Sequence, residues 1–542
     1  MRRLLLSMVA VLVAFVATSQ VKVSGTIRDE RGNAVAGVAV TDGFKVVQTN
    51  AKGRFSFKTS PDATYVYYSI PAEYKVNVKD GHPDFYQRIE SGKKRYDFTL
   101  TRLANGKEKA FRLIAVADPQ AQCMFHVKRF SRETIVDIRE YVEKQTLPCY
   151  GITLGDIGYT EGRHNSVPLL DDMREAMSYN SSGLLFFQTF GNHDHIKPPV
   201  AADERSSTFN LAYQRAFEDV FGPIDYSWNR GDVHIVSMRD VQYNSAEKAS
   251  KYTAAFTREQ YEWLKADLAL VPRDKMVILC LHIAMYDRTT PYMAEVRKLL
   301  AEFKKAHIFV GHTHYMNHNY NKEGIYEHVH AAASGAYWWS SINGDGVPNG
   351  YTIYDVEGTE LKNWWYKATG YDISYQIRMY RGDAEFGGEF EKFRFPYSHN
   401  TILANVFMAD PDWKVEMYED GVLTGTMERI PVTKDSVPEL NSSRDWWAVG
   451  YHIGVVGRSY GHVKNARSKM KGGGRKGYLT PCNHLYRLEL KNPNAREIKV
   501  VATDTNGNVY EQTRFTESGD YSENALMNEL IAIPRSRLDK TY

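Results

Sequence analysis

Leu184-Leu-Phe-Phe-Gln-Thr-Phe-Gly-Asn-His-Asp194 decides the fold: a largely apolar run of strand length that ends in glycine and three side chains able to bind cations or move protons. The same arrangement recurs in Ile114-Ala-Val-Ala-Asp118-Pro-Gln120, in Tyr150 to Leu154 followed by Gly155-Asp156, in Val277 to Leu281 followed by His282, and in Ile308 to Val310 followed by Gly311-His-Thr-His314. Continuous apolar runs of this length read as strands buried on both faces. Helical periodicity fills the intervals: Ile135, Ile138 and Val142 after a candidate Ser131 cap, then Leu169, Leu170, Met173 and Met177. Thr257-Arg-Glu-Gln260 has capping-box spacing before Trp263, Leu264 and Leu268. Alternating strands and helices predict an α/β layered domain, in which ligands collect beyond the carboxyl ends of the strands. Every polar cluster falls at that end.

The residue types select the chemistry. Carboxylate, amide oxygen and imidazole together suit borderline or hard divalent ions rather than thiolate-loving ones. Residues two apart along an extended segment face the same way, so Asp118 pairs with Gln120 and His312 with His314, each pair able to converge on one centre. By the same alternation His193 points away from Asn192, leaving one residue for metal and the other for substrate.

These residues resemble the calcineurin-like metallophosphoesterase superfamily, whose pattern is D-x-H, G-D, G-N-H-D/E, a lone H and G-H-x-H in this order. The resemblance covers roughly Phe111 to Tyr366. It implies a metallophosphoesterase-type layered α/β sandwich with two divalent ions, manganese, iron, zinc or similar. One ion would be held by Asp118, Gln120, Asp156 and His314, the other by Asp156, Asn192, His282 and His312, with Asp156 bridging. His193 would contact phosphate and assist the leaving group, and Asp194 would orient it. The implied reaction is phosphoester hydrolysis by a hydroxide generated at the metal pair. Gln120 departs from the commonest pattern, where histidine stands. Its amide oxygen is the harder and weaker donor, so Gln120 either ligates directly or stands behind a water.

The flanks read differently. Arg2 and Arg3, the apolar stretch Leu4 to Val16 and Ala17-Thr-Ser19 form the pattern of a secretory signal peptide over 1–19, too short for a membrane span. Export to a periplasm or beyond the cell is therefore expected, with no transmembrane anchor in the mature chain. Residues 20–103 alternate apolar and polar positions between turns, as in Thr49-Asn-Ala-Lys-Gly-Arg-Phe-Ser-Phe57, which predicts a β-sandwich module. This module resembles the transthyretin-like or carboxypeptidase-regulatory domains that precede catalytic domains. The catalytic domain is expected over 108–367 and a β-rich domain over 369–542, with a turn at Asp420-Gly421 and a hairpin at Asn506-Gly507-Asn508.

Composition narrows the partners. The formal charge is +3, of which Arg2 and Arg3 belong to the leader, so general polyanion binding is not suggested and no nucleic-acid partner is predicted. A basic glycine-rich loop around Gly472-Gly-Gly474 is more simply solvated. Cys123, Cys149, Cys280 and Cys482 form no metal motif, and Cys280 reads as a buried thiol. His126, His164, His195, His318, His328 and His330 read as packed or solvent-facing. Tyr337, Trp338 and Trp339, just after the last metal motif, are candidates to wall a substrate pocket or to fill a domain interface. Two functional classes follow. The favoured one is an exported phosphoesterase acting on a phosphorylated small molecule, glycan, lipid or nucleotide; the other is a binding protein for a phosphorylated or glycan ligand whose metal site has decayed.

Overall fold

The computed structural model describes residues 20–159, 169–196, 209–245, 251–338, 340–384, 397–432, 443–452 and 480–516. Its centre is two stacked sheets. One runs Phe186–Phe187, Cys149–Thr153, Ala110–Val116, Gly350–Glu357, Glu360–Ala368; its first three strands are parallel. The other runs Tyr226–Arg230, Val233–Ser237, Met276–Cys280, Lys305–Val310, Tyr326–Val329, Asn317–Tyr320, with four parallel strands in the middle.

Strand periodicity explains the layers. In Met276–Cys280 the residues Val277 and Leu279 join the core under the helices, with Trp263, Leu264 and Val296. Met276, Ile278 and Cys280 join the core between the sheets, with Leu113, Ala115 and Tyr354. Every position of the strand is buried, so the run is apolar throughout. Phe187 of one sheet stacks on Trp228 of the other, centroids 3.9 Å apart and planes within 7°. Such a contact adds about 0.5–1.5 kcal/mol to the area it buries.

Two local expectations change. Ser131 is not a cap: it lies inside a helical stretch that begins at Met124 and passes through a π segment, Phe130–Ile135, and its hydroxyl donates back to the Val127 carbonyl. Of the run Leu184 to Phe190 only Phe186–Phe187 pairs in the ladder, because it is the edge strand and meets only Gly151 and Ile152. The Thr257 capping box forms as expected.

Residues 22–100 build a three-stranded and a four-stranded sheet that share the inter-sheet core of the central unit. Trp263 donates its indole N–H to Thr41 at 3.0 Å, which ties this β module to the helix Arg258–Leu268. On the other side, two four-stranded antiparallel sheets enclose Met379, Ile402, Val415, Met417 and Val500. The Asp420-Gly421 turn has positive φ at both positions, 48° and 81°, as a two-residue hairpin of this twist requires. Strands Ile498–Thr503 and Val509–Gln512 form the hairpin expected around Asn506-Gly507-Asn508. The leader, His164, Trp339 and the Gly472-Gly-Gly474 loop lie outside the described residues. The four cysteines are free thiols, Cys280 fully buried, and His126, His195, His318, His328 and His330 are packed inside. No helix among the described residues is long and apolar enough to cross a membrane.

Candidate metal centre

The polar clusters meet where the parallel strands end. Asp118 follows Ala110–Val116, Asp156 follows Cys149–Thr153, His282 follows Met276–Cys280, and His312 and His314 follow Lys305–Val310. The backbone there is strained. Asp118, Gln120, Asp156, His312 and His314 all have φ between 40° and 68°, and Tyr337 and Trp338 behind them have 57° and 63°. Seven of the eleven non-glycine residues of positive φ among the described residues therefore lie in this one place, where about 1–3 kcal/mol of strain each is stored. This also corrects the spacing argument. Asp118/Gln120 and His312/His314 are brought together by left-handed turns, not by strand alternation, and the two histidines go to different partners.

Glycine is required by close approach. A Cβ on Gly191 would lie 2.0 Å from the Asp156 amide nitrogen, and one on Gly311 would lie 2.4 Å from Asp118 Oδ2. Gly191→Ala is therefore expected to lower stability by about 3 kcal/mol through forced backbone displacement, seen as a drop in Tm by calorimetry.

His282 defines the first centre. Its Nδ1 lies 2.8 Å from the Leu154 carbonyl, which fixes the proton there and leaves a lone pair on Nε2. That nitrogen faces Asn192 Oδ1 at 2.9 Å, His312 Nδ1 at 3.1 Å and Asp156 Oδ2 at 3.2 Å. Asp156, His282 and His312 present ligand atoms all within 4.8 Å of one another. Lone pairs pointed at one another in a buried site repel unless a cation lies among them, so this donor set fits a divalent ion. With no ion among them, a proton on His282 would relieve that repulsion. Burial works against charge on His282, but the carboxylates of Asp156, Asp118 and Asp240 carry its pKa up to about 10. His312, discharged by burial and by the neighbouring His282, falls well below the usual histidine range. Burial would raise the Asp156 pKa, but His282, His193 and His312 hold it below the ordinary carboxylate range.

The second group of donors adjoins the first. His314 Nε2 lies 3.3 Å from Asp118 Oδ1. Asp118 also accepts the His312 backbone N–H at 2.8 Å, which locks the last motif to the first. Gln120 donates its amide N–H to Asp156 Oδ2 at 3.0 Å, and its Oε1 is buried with no partner. An orphaned buried oxygen beside two carboxylates and an imidazole is a donor that a cation would satisfy.

His193 is half-buried beside this cluster. Its backbone N–H donates to Asp156 Oδ1 at 2.7 Å, and its ring stacks on Tyr159 with centroids 4.3 Å apart. Asp194 is fully buried, and its two oxygens accept from Gly158 N at 2.8 Å and Gly191 N at 2.9 Å, which pins two motif loops together. Trp338 is corrected. It is fully buried, its indole N–H bonded to the Pro119 carbonyl at 2.6 Å and its ring 5.3 Å from the Arg129 guanidinium, so it cannot line a substrate pocket. Tyr337 does reach the centre, its ring 4.8 Å from that of His314.

Other supporting groups were not anticipated. Asp240 accepts from the Ile283 N–H at 2.8 Å and the His282 N–H at 3.4 Å, which holds the His282 loop. Tyr243 and His195 both bond the Asn192 carbonyl, at 2.9 and 2.8 Å. Tyr252 approaches His312 Nε2 at 3.5 Å. Asp240 ends the segment Val233-His-Ile-Val-Ser-Met-Arg-Asp240, in which His234, Ser237 and Arg239 break the apolar run, so the rule that picked out the other clusters passes over it.

Comparison with known proteins gives this constellation its class. Family models match in consecutive segments: the N terminal of calcineurin-like phosphoesterase at residues 21–103, calcineurin-like phosphoesterase at 111–316, and the C terminal of calcineurin-like phosphoesterase at 327–510. Purple acid phosphatase 18 of Arabidopsis thaliana is 25% identical over 171 residues, 30% of this chain and 36% of that protein, so the match spans about a third of the relative's length. A dimetal phosphatase from Danio rerio is 13% identical, covering 48% of this chain and 97% of its own, with a TM-score of 0.32. A 5'-nucleotidase from Candida albicans is 11% identical over 45% of this chain and 46% of its own, with a TM-score of 0.26. The chain belongs to the calcineurin-like phosphoesterase family.

Proposed function

We propose that this protein hydrolyses phosphoester bonds of a phosphorylated small molecule at a binuclear centre. Asp118, Gln120, Asp156 and His314 hold one divalent ion, and Asp156, Asn192, His282 and His312 hold the other, with manganese, iron or zinc as candidates. The observation that carries this reading is the mutual approach of Asp156 Oδ2, Asn192 Oδ1, His282 Nε2 and His312 Nδ1 in a buried site. When bound, such ions supply charge stabilisation to the phosphoryl oxygens and lower the pKa of water.

The chain's own residues do the rest. His193 is half-buried beside the cluster, and its imidazole can bond a phosphoryl oxygen and give a proton to the departing alkoxide. The Tyr159 ring limits the directions the His193 ring can take. Tyr159→Ala is therefore expected to lower kcat by up to about 10²-fold with little change in KM, whereas Tyr159→Phe retains the stack and the rate. Steady-state kinetics of the two variants side by side test this.

Export is part of the proposal, supported by the sequence of residues 1–19. N-terminal sequencing of protein from the native host's extracytoplasmic fractions tests it: a start at Gln20 is expected, and recovery in the cytoplasm with Met1 intact contradicts it. The reaction itself is tested with p-nitrophenyl phosphate and bis-p-nitrophenyl phosphate after reconstitution with manganese. Turnover of either ester that is lost on chelation supports the enzyme, and the preferred ester separates monoesterase from diesterase. Two bound ions with no turnover of either would point to a specialised pocket, whereas failure without bound metal would revive the binding-protein reading.

A further inference from the structure

Val241–Tyr243 and Tyr252–Ala254 pair only with each other, as a two-stranded ribbon outside both central sheets. Such a ribbon is marginal by itself. This one, with Asp240 just before it, reaches three residues of the metal centre. We infer that the ribbon is a positioning element for one ion of the pair, the one held by Asn192, His282 and His312, and that it sets the affinity of that ion alone. The inference rests on the binuclear reading.

Each contact goes to a different ligand. Asp240 accepts the backbone N–H groups of His282 and Ile283, at 3.4 and 2.8 Å. Tyr243 donates its hydroxyl to the Asn192 carbonyl at 2.9 Å. Tyr252 Oη lies 3.5 Å from His312 Nε2. The register explains why the two phenols arrive together: Tyr243 and Tyr252 are cross-strand partners, their ring centroids 6.4 Å apart and their planes at 72°.

The Tyr252 contact has a direction. His312 Nδ1 faces His282 Nε2 at 3.1 Å and is the nitrogen placed for metal. A neutral imidazole with its lone pair on Nδ1 carries the proton on Nε2, so His312 donates and the Tyr252 oxygen accepts. That bond selects the tautomer able to ligate and fixes the ring. Tyr243 acts on the backbone instead. Together with His195 Nδ1, 2.8 Å from the same carbonyl, it holds the turn that carries Asn192, whose Oδ1 lies 2.9 Å from His282 Nε2. Tyr243 is buried and stacked on Tyr213, centroids 4.1 Å apart, which steadies the ribbon. The other donor group is supported from elsewhere. Trp338 bonds the Pro119 carbonyl between Asp118 and Gln120, and Tyr337 packs on His314.

The test titrates cobalt(II), whose visible absorption follows its ligand geometry, into the metal-free full chain as wild type, Tyr252→Phe and Tyr243→Phe. Phenylalanine keeps each ring and removes one oxygen. Wild type should take up two ions. Each variant should hold one of them about 10–100-fold more weakly, with an altered spectrum for that step. The affinity of the other ion and the thermal midpoint of the metal-free protein should stay as in wild type. Tyr252 is half-buried, so where Tyr243→Phe lowers the thermal midpoint, Tyr252→Phe decides alone. Two unchanged binding steps in Tyr252→Phe, or equal weakening of both, overturn the inference and leave the binuclear reading standing. Failure of the wild type to take up a second ion overturns that reading and this inference with it, whatever the variants do.

Discussion

His193→Ala is expected to slow hydrolysis of the preferred nitrophenyl ester by about 10²–10⁴-fold while the protein keeps its full complement of metal. The side chain removed is not among the converging donor atoms. It joins the cluster through its backbone N–H, which donates to Asp156 Oδ1, and alanine retains that bond. Only the imidazole, half-buried and stacked on Tyr159, is lost. The loss should fall on kcat more than on KM, because proton donation matters when the leaving oxygen develops charge. Metal content and kinetics measured on the same preparation check both halves.

Asp156→Asn should be as severe for a different reason. Asp156 Oδ2 is near both His282 Nε2 and the Gln120 amide, so this one carboxylate stands between the two donor groups. Asparagine preserves shape but removes the charge that raises the His282 pKa and would neutralise bound ions. Losing several kcal/mol of charge stabilisation, about 4, corresponds to a rate loss near 10³-fold, together with loss of metal. Metal analysis and turnover of the variant against wild type check it; full metal retention with a wild-type rate would remove Asp156 from its assigned place.

Much of the centre was legible in the sequence because parallel strands buried on both faces leave continuous apolar runs, and the polar residue ending each run is conspicuous. Asp118, Asp156, His282, His312 and His314 were found that way, and the structure brings them together. The geometry between them was not legible. Their left-handed backbone has no marker in residue type, since none is glycine, so strand alternation gave a wrong reason for their convergence. Trp338 looked like a pocket wall because aromatic residues near a site are common, yet its burial depends on Pro119 and Arg129, both over 200 positions distant. The Ser131 error has the same origin. A serine before an apolar period reads as a cap, and only the helix beginning at Met124 shows that its hydroxyl bonds backwards. The bonds from the Gly158 and Gly191 amides to Asp194 were not legible either, because they join loops that are far apart in the chain.

The central claim is that two donor groups share Asp156, so the decisive measurement is the number of manganese, iron or zinc ions per chain. It is read by mass spectrometry of the dialysed, reconstituted protein, with Asp118→Ala and His282→Ala alongside. Two ions in the wild type, with each variant losing at least one along with its activity, is the predicted result. A single ion in fully active protein, unchanged in Asp118→Ala, would contradict the account.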